Sequence, residues 1–455
     1  MTLVAGIDCG TQSTKVVVCD AATGAVVRSG SAPHPDATEV DPEVWWSAFH
    51  SASRGLLDGV EAMAVGAQQH GMVCLDGAGR VVRPALLWND NRSAPDAAAL
   101  IDELGGPDRW AEATGSVPVA SFTVTKLRWL SRSEPGHAER TRTVLLPHDW
   151  LTWRLTGAFT TDRGDASGTG YWSPSTQDWR PDLLELAVGR ELTVPRVAGP
   201  AEVVGETSEG IKVAAGTGDN ASAALGLGLL PGDAVISIGT SGTVYAVSEL
   251  PTADATGTVA GFADATGRYL PLVATLNAAR VLTATAAMLD QRLDDLALLA
   301  LTAPPGSDGL VFLPYLDGER TPNLPDATGT LTGLTRANMA PRNVARAAVE
   351  GMLCGLADGL DALRGLGVPV RRIRLIGGAA ASPAVQHIAG TVFDAPVTKP
   401  TAAEYVALGA ARQAAWALSG AAEPPDWPVD AVDVPTEPVP SVRERYRAAQ
   451  AGVVG

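Results

Sequence analysis

The chain has 455 residues, which is too long for one hydrophobic core, so two large domains are expected. Its 34 Lys and Arg against 50 Asp and Glu give a net charge of −16, which argues against nucleic acid or an anionic membrane as a partner. An apolar content of 46 % with 49 glycines is typical of a globular α/β protein rather than a disordered one.

The four cysteines, Cys9, Cys19, Cys74 and Cys354, form no CxxC pair and stand among apolar residues, so they are expected to be buried reduced thiols. No apolar N-terminal leader follows basic residues, and no run approaches 18 apolar residues. We therefore expect a soluble, cytoplasmic protein.

The N-terminal segment predicts a β-meander, with strands near 3–9, 15–20 and 25–31. A second start of the same kind lies at 233–248, and an offset of 229 aligns Gly10 with Gly239 and Thr11 with Thr240. The matched turns favour an internal duplication over chance. The sequence thus predicts an N-terminal domain of residues 1–217 and a C-terminal domain of residues 218–455.

Further elements follow from capping and periodicity. A helix is expected from Asp41, with Asp41 as N-cap and Pro42 at its first position. The others are a buried strand within 61–71 that ends in a polar loop, a helix over 343–364, a strand in 371–382 that runs through a Gly-Gly turn into a helix near Pro383, and a Pro-rich then charged tail ending in a short helix.

The first turn, GTQST, offers backbone N–H groups and the side chains of Thr11, Gln12 and Ser13, with Lys15 directly after it. Such a turn can cradle a phosphate without much positive charge. An ordinary polar hairpin is the alternative, but the twin turn GTSGT, with Gly239 and Thr240, favours phosphate binding. Asp8, which ends the first strand, would then hold Mg²⁺ directly or through water, or would merely cap the turn.

Asp219 lies in the Gly-rich loop GTGDNA, just before an Ala-rich helical stretch. Its carboxylate could be a helix N-cap. It could also be a general base, because phosphoryl transfer to an alcohol requires an aligned hydroxyl, a proton acceptor and neutralised phosphate charge.

Two polar loops carry groups that suit an uncharged polyol: AQQHG, with Gln69 and His70, and WNDNR, with Asp90 and Arg92. A lone His would more often be structural, and it is the clustering that favours a sugar site. Gly377 and Gly378, in IGGAA, would let the backbone approach a flat group closely, or would serve helix–strand packing alone.

Five segments in order resemble the FGGY family of carbohydrate kinases, within the actin–hexokinase–Hsp70 fold. They are the first phosphate motif IDCGTQSTK (7–15), the second phosphate motif ISIGTSGT (236–243), the adenosine motif LIGGAAAS (375–382), and two family signatures at 121–130 and 329–351. The resemblance runs from Val4 to about Ala415. Their co-occurrence in order is far more specific than any one of them.

The resemblance implies an α/β fold of two ribonuclease-H-like domains around a central cleft, with ATP and Mg²⁺ as cofactors and a homodimer as the assembly. It implies that Asp219 is the catalytic base and that Asp8 serves the metal. It assigns Gln69, His70, Asp90 and Asn220 to the sugar, and Thr11, Gln12, Ser13, Lys15, Gly239, Thr240, Gly377 and Gly378 to the nucleotide.

Segments at 67–71, 86–93 and 161–172 are similar to those of family members that phosphorylate D-xylulose, so the reaction implied is D-xylulose to D-xylulose 5-phosphate. One departure is Gln69, which stands where such kinases usually carry Met. The alternatives are a family kinase for ribulose, gluconate or glycerol, and an actin- or Hsp70-like ATPase. Such an ATPase would need neither the polyol loop nor the two signatures.

Overall fold

The computed structural model describes residues 1–454. The strands are β1 (Leu3–Cys9), β2 (Ser13–Asp20), β3 (Val26–Pro33), β4 (Glu39–Val40), β5 (Val60–Ala67), β6 (Val73–Leu75), β7 (Ala85–Leu86), β8 (Thr143–Leu145), β9 (Thr160–Thr161), β10 (Trp172–Ser173), β11 (Asp178–Trp179), β12 (Arg196–Val197), β13 (Val203–Glu206), β14 (Lys212–Ala214), β15 (Thr217–Gly218), β16 (Asp233–Ile238), β17 (Gly242–Ala246), β18 (Ala260–Ala263), β19 (Tyr269–Thr275), β20 (Val311–Leu313), β21 (Thr330–Thr332), β22 (Arg372–Ile376), β23 (Val397–Pro400) and β24 (Ala431–Val434). The helices are α1 (Glu43–Ala52), α2 (Ala94–Leu104), α3 (Pro107–Thr114), α4 (Thr123–Ser133), α5 (Pro135–Arg140), α6 (Pro147–Thr156), α7 (Arg163–Ser167), α8 (Pro181–Val188), α9 (Asp219–Gly226), α10 (Ala279–Met288), α11 (Leu293–Thr302), α12 (Pro341–Gly365), α13 (Pro383–Val392), α14 (Tyr405–Ser419) and α15 (Pro440–Val454), with 3₁₀ turns at Ser307–Gly309 and Gly378–Ala381.

The chain forms two compact units, each built from three segments. The first unit comprises Met1–Leu229, Glu249–Leu270 and Ala403–Pro428, and the second comprises Leu230–Ser248, Pro271–Ala402 and Val429–Gly455. The predicted division between residues 217 and 218 falls inside the first unit, within β15 and just before α9. The reason is that α9 packs closely against α14, which belongs to the same unit.

The first unit is organised around a sheet with the strand order β13-β14-β5-β1-β2-β3, and β15 also pairs with β5. β1 runs antiparallel to β2 and parallel to β5. One face carries large side chains, among them Ile7 and Val65, which share a core cluster with Trp150 of α6. The other face carries small ones, among them Val4 and Ala64, and packs against the alanines of α14. Burial on both faces explains why every residue of β1 is buried.

Glycines allow α14 to lie very close to its neighbours. A Cβ at Gly6 of β1 would lie 1.8 Å from the carbonyl oxygen of Ala407, and one at Gly409 would lie 1.7 Å from that of Ser222 in α9. No side chain fits at either place. The stretch EYVALGAA, which begins at Glu404, therefore covers one face of the first sheet.

The second unit repeats the strand arrangement of the first. β16 and β17 form an antiparallel hairpin, and β22 pairs parallel with β16, as β5 does with β1. β19 extends the sheet beyond β17, and β23 and β24 extend it beyond β22. The shared topology supports the predicted duplication.

The other predicted elements are present. The meander, the strand in 61–71, the helix over 343–364, and the strand, glycine turn and helix from 371 onward correspond to β1–β3, β5, α12, and β22 with α13. The helix expected from Asp41 begins at Glu43, and the Asp41 side chain accepts the Glu43 N–H at 3.0 Å. All four cysteines are free and buried, as predicted. Among residues 1–454, no helix has the length and apolarity needed to cross a membrane.

Candidate active site

The first phosphate turn joins β1 to β2 and keeps its backbone accessible. The Gly10 N–H donates to the Ser13 carbonyl at 3.1 Å, which closes the turn. Thr11 and Ser13 are partly buried, whereas the Gln12 side chain is exposed. Lys15 forms an ion pair with Glu404 at 2.6 Å, and the Trp88 indole N–H donates to the Thr11 hydroxyl at 2.8 Å. The structure thus brings Thr11, Gln12, Ser13 and Lys15 together at one sheet edge.

Asp8 precedes this turn, and only 9 % of it is exposed. It pairs with Lys15 across the hairpin and with Gly66 of β5 on its other side. Burial raises the pKa of Asp8 to about 7, while the Lys15 charge acts to lower it. A buried carboxylate at the end of a central strand, beside a turn rich in N–H and hydroxyl groups, is an oxygen ligand of the kind Mg²⁺ prefers.

Asp219 is the first residue of α9 and follows β15 directly. Burial raises its pKa to about 7, and the Asp8 carboxylate acts in the same direction. Its Oδ1 accepts the Asn220 backbone N–H at 2.7 Å and the Asn220 side-chain amide at 3.0 Å. The carboxylate therefore accepts an N–H group of the first turn of its own helix. It is also half-buried, and its proton affinity suits a general base near neutral pH.

Gln69 and His70 follow β5, which lies next to β1 in the sheet. The Asn220 amide donates to the Gln69 side-chain oxygen at 3.4 Å, which links this loop to α9. His70 has a positive φ of 68°, which turns its ring onto Phe122 at a centroid distance of 4.9 Å. Its Nδ1 lies 2.7 Å from the Gly168 carbonyl, and because a carbonyl only accepts, Nδ1 carries a hydrogen. When this ring is neutral, Nε2 is an acceptor, a role that suits a sugar hydroxyl.

The Asp90 carboxylate accepts hydrogen bonds from Thr38 and Arg92. Thr38 donates to one oxygen at 2.9 Å, and the Arg92 backbone and guanidinium donate to the other at 3.0 and 2.8 Å. Burial acts to raise the pKa of Asp90, but these bonds hold it below the ordinary value. The side chain orders the 88–92 loop, and its assignment to the sugar stays a prediction.

In the second unit, the turn at Gly239 and Thr240 lies beside the Gly-Gly turn. A Cβ at Gly377, whose φ is 91°, would lie 2.6 Å from backbone atoms of Ile238, the residue before Gly239. At Gly378 a Cβ would meet open space, and both glycines are exposed. A flat backbone surface next to a polar turn can accept the base or ribose of a nucleotide whose phosphates meet the turn.

Sequence reasoning missed a buried cluster in the first unit, made of His148, Asp149, Asp162 and Asp165. His148 Nδ1 lies 2.7 Å from Asp165 and 3.2 Å from Asp149, and all four side chains are buried. The acidic residues of TDRGDAS, together with the HD pair after Pro147, are the only signal of it in the sequence.

Residues 3–226 match the model of the N-terminal domain of the FGGY family of carbohydrate kinases, and residues 234–418 match that of the C-terminal domain. A xylulose kinase of Streptomyces coelicolor is 50 % identical over 434 residues, covering 92 % of this chain and 88 % of the relative. One of Escherichia coli is 35 % identical over 436 residues, covering 90 % and 89 %.

Among solved structures, the xylulose kinase of Bifidobacterium adolescentis superposes with a TM-score of 0.94 at 46 % identity, covering 99 % of each chain. The likeness therefore extends over both units and includes every motif discussed above. The chain belongs to the FGGY family of carbohydrate kinases, with its two-domain α/β fold.

Proposed function

We propose that this protein transfers the γ-phosphoryl group of ATP to D-xylulose, giving ADP and D-xylulose 5-phosphate. The observation that supports this most strongly is the pair of carboxylates formed by buried Asp8 and half-buried Asp219, which lie at the ends of neighbouring parts of one sheet beside the phosphate turn. The substrate is assigned by likeness, since relatives up to 50 % identical are xylulose kinases.

Asp219 is the proton acceptor in this mechanism. A sugar hydroxyl becomes a better nucleophile as its proton leaves, and a carboxylate with a pKa of about 7 can take that proton at neutral pH. The bonds from Asn220 to Oδ1 fix the orientation of the carboxylate. Oδ2 receives no bond from Asn220, and we assign proton transfer to it.

The donor set around Asp8 fits Mg²⁺, because a buried carboxylate with a raised pKa gains most from a cation. Asp8 would hold the ion directly or through water. When bound, Mg²⁺ neutralises charge on the β- and γ-phosphates. The backbone N–H groups at Thr11, Gln12 and Ser13, with Lys15, contact phosphate oxygens, and Lys15 exchanges its exposed partner Glu404 for them.

Gly239 and Thr240 bind phosphate oxygens in the same way, and Gly377 and Gly378 present the backbone to the adenosine. His70 and Gln69 bind the ketose, with Asn220 beside them. Homodimer formation and a cytoplasmic location stay predictions.

A coupled ADP-release assay over a panel of D-xylulose, ribulose, gluconate and glycerol tests the substrate. We expect kcat/KM to be highest for D-xylulose, and ATP hydrolysis without sugar to be a minor background. A higher kcat/KM for another sugar would reassign the substrate within the family. Hydrolysis indifferent to every sugar would contradict a sugar kinase altogether.

The same assay tests the base. Asp219→Asn keeps the shape of the side chain and removes its proton affinity, so we expect kcat to fall by at least ~10² while the KM for D-xylulose changes little. Asp58→Asn, an exposed carboxylate in the loop before β5, is the matched control and should retain wild-type rates. Near-normal turnover of Asp219→Asn would mean that another group removes the proton.

A further inference from the structure

The buried cluster found in the first unit lies directly beneath the loop that carries Asp219. His148, in the first turn of α6, directs Nε2 to the Ala215 carbonyl at 3.0 Å. Its Nδ1 faces Asp165 of α7 at 2.7 Å. These bonds join two helices to the strand that leads into β15 and α9.

His148 is held as an imidazolium, since both ring nitrogens face oxygens that accept. A backbone carbonyl can only accept, and Asp165 accepts when ionised, so each nitrogen donates. Burial acts to lower the pKa of His148, but the charges of Asp149, Asp165 and Asp162 raise it to about 10. The carboxylates around His148 therefore favour the charged form of its ring.

Asp162 binds the same loop at a second point. The Thr217 hydroxyl donates to Asp162 Oδ2 at 2.6 Å, and Asp162 also accepts the backbone N–H groups of Gly164 and Asp165, which begins α7. A Cβ at Gly218 would lie 2.6 Å from Asp165 Oδ1. The residue before Asp219 thus rests against the carboxylate that His148 orients.

The far end of α7 reaches the sugar loop. The helix ends at Gly168, whose carbonyl accepts the Nδ1 hydrogen of His70. A Cβ at Gly168 would lie 2.8 Å from the His70 ring. One segment of seven residues, 162–168, therefore contacts both the loop of the proposed base and the proposed sugar ligand.

A metal is the other explanation for such a cluster, since ligand atoms of His148, Asp162 and Asp165 lie within 4.8 Å of one another. A metal-bound imidazole must offer a lone pair. Here the Ala215 carbonyl takes one N–H, and the other nitrogen is shared between two carboxylates. The proton network accounts for the geometry without an ion.

We propose that His148, Asp162 and Asp165, which we call the brace, are positioning residues that hold Asp219 and His70 in register for phosphoryl transfer. The inference rests on the proposed role of Asp219. The brace touches neither reacting atom. It fixes the backbone of residues 215–218. If the Asp219 carboxylate were displaced by about 1 Å, the reaction rate would fall by on the order of 10².

Two pairs of variants test the brace. His148→Gln removes the positive charge that the ring offers to Asp165 and the Ala215 carbonyl. His148→Lys keeps the charge, and its ammonium group has a hydrogen for each acceptor. We expect His148→Gln to lower kcat 10- to 100-fold with the KM for MgATP within twofold, and His148→Lys to recover most of kcat. His387→Gln, an exposed His in α13, is the control and should match the wild type.

Thr217→Val provides the second test if His148→Gln does not fold. It removes only the bond to Asp162, and we expect kcat to fall several-fold, with recovery in Thr217→Ser. The brace is rejected if folded His148→Gln and Thr217→Val keep kcat within twofold while Asp219→Asn loses it. Activity retained in Asp219→Asn would instead reject the proposed base. A stoichiometric transition metal in the purified protein, lost in Asp165→Asn, would replace the brace by a metal site.

Discussion

At the scale of single residues, the site is defined by carboxylates whose environment changes what they can do. Asp8, Asp165 and Asp219 are all raised in pKa, chiefly by burial, whereas Asp90 is lowered by the bonds of Arg92. The three raised groups stand near one another in the first unit. Perturbed pKa values of this kind cluster at functional sites, where carboxylates take different roles: Asp219 as the proposed proton acceptor and Asp165 as the partner of His148.

The raised pKa of Asp219 predicts a pH dependence. Only the ionised carboxylate can accept a proton, so activity should be lost as pH falls through about 7. We expect kcat/KM, measured with both substrates far below their KM, to rise between pH 6 and 8 with an apparent pKa near 7. A profile that is flat across this range would show that the base titrates elsewhere.

Sequence reasoning predicted these residues unevenly. Asp219, His70 and the phosphate turns could be proposed because each lies in a short motif with its own chemistry. The brace was not proposed, because His148 and Asp165 are 17 residues apart and come together only in the folded chain. Phe262, which contacts the His70 ring at a centroid distance of 5.5 Å, comes from still further along the chain.

At the scale of elements, α14 is the piece whose importance the sequence concealed. The contacts that make α14 necessary are between backbones, and backbone contacts leave no mark in the sequence beyond small residues. Strands β1, β2, β5 and β22 were predictable because short apolar runs and the turn residues that bound them agree with their final places.

The close packing of α14 can be tested with one methyl group. Gly409→Ala would place Cβ 1.7 Å from the Ser222 carbonyl oxygen, which forces α14 away from α9. We expect the free energy of unfolding to fall by about 2–3 kcal/mol, measured by urea denaturation.

The matched control is Gly365→Ala, at the end of α12, where a Cβ meets no atom within 4 Å. Because Ala favours a helix over Gly, this change should raise stability by about 0.5 kcal/mol. Equal effects of the two substitutions would mean that helix propensity, rather than the approach of two backbones, sets the cost at Gly409.

At the scale of the whole molecule, neither unit is a continuous stretch of chain. Residues 403–428 complete the first unit, and 230–248 begin the second. A single boundary near residue 217 follows from the duplication seen in the motifs. After that boundary, however, the chain returns to the first unit twice. Repeated motifs identify equivalent strands in the two halves of the sequence. They give no information about α14, which comes late in the chain but belongs to the first unit.

A fragment of residues 1–229 should therefore fail to fold cooperatively. Without α14, the sheet face that carries Val4, Val17, Ala62 and Ala64 is uncovered. We expect a broad urea transition for this fragment, and a sharper one when 403–428 is fused to it through a flexible Gly/Ser linker. A sharp transition for 1–229 alone would show that α14 is dispensable for that fold.

The return of α14 also has a consequence during synthesis. Between residues 229 and 403 the ribosome must add about 170 residues, which takes on the order of 10–35 s at about 5–20 residues per second. Throughout that interval, the apolar face of the nascent first sheet that α14 will later cover stays exposed. This exposed apolar face is the kind of surface that a chaperone of nascent chains binds. Slowly translated codons between residues 229 and 403 would lengthen the exposure.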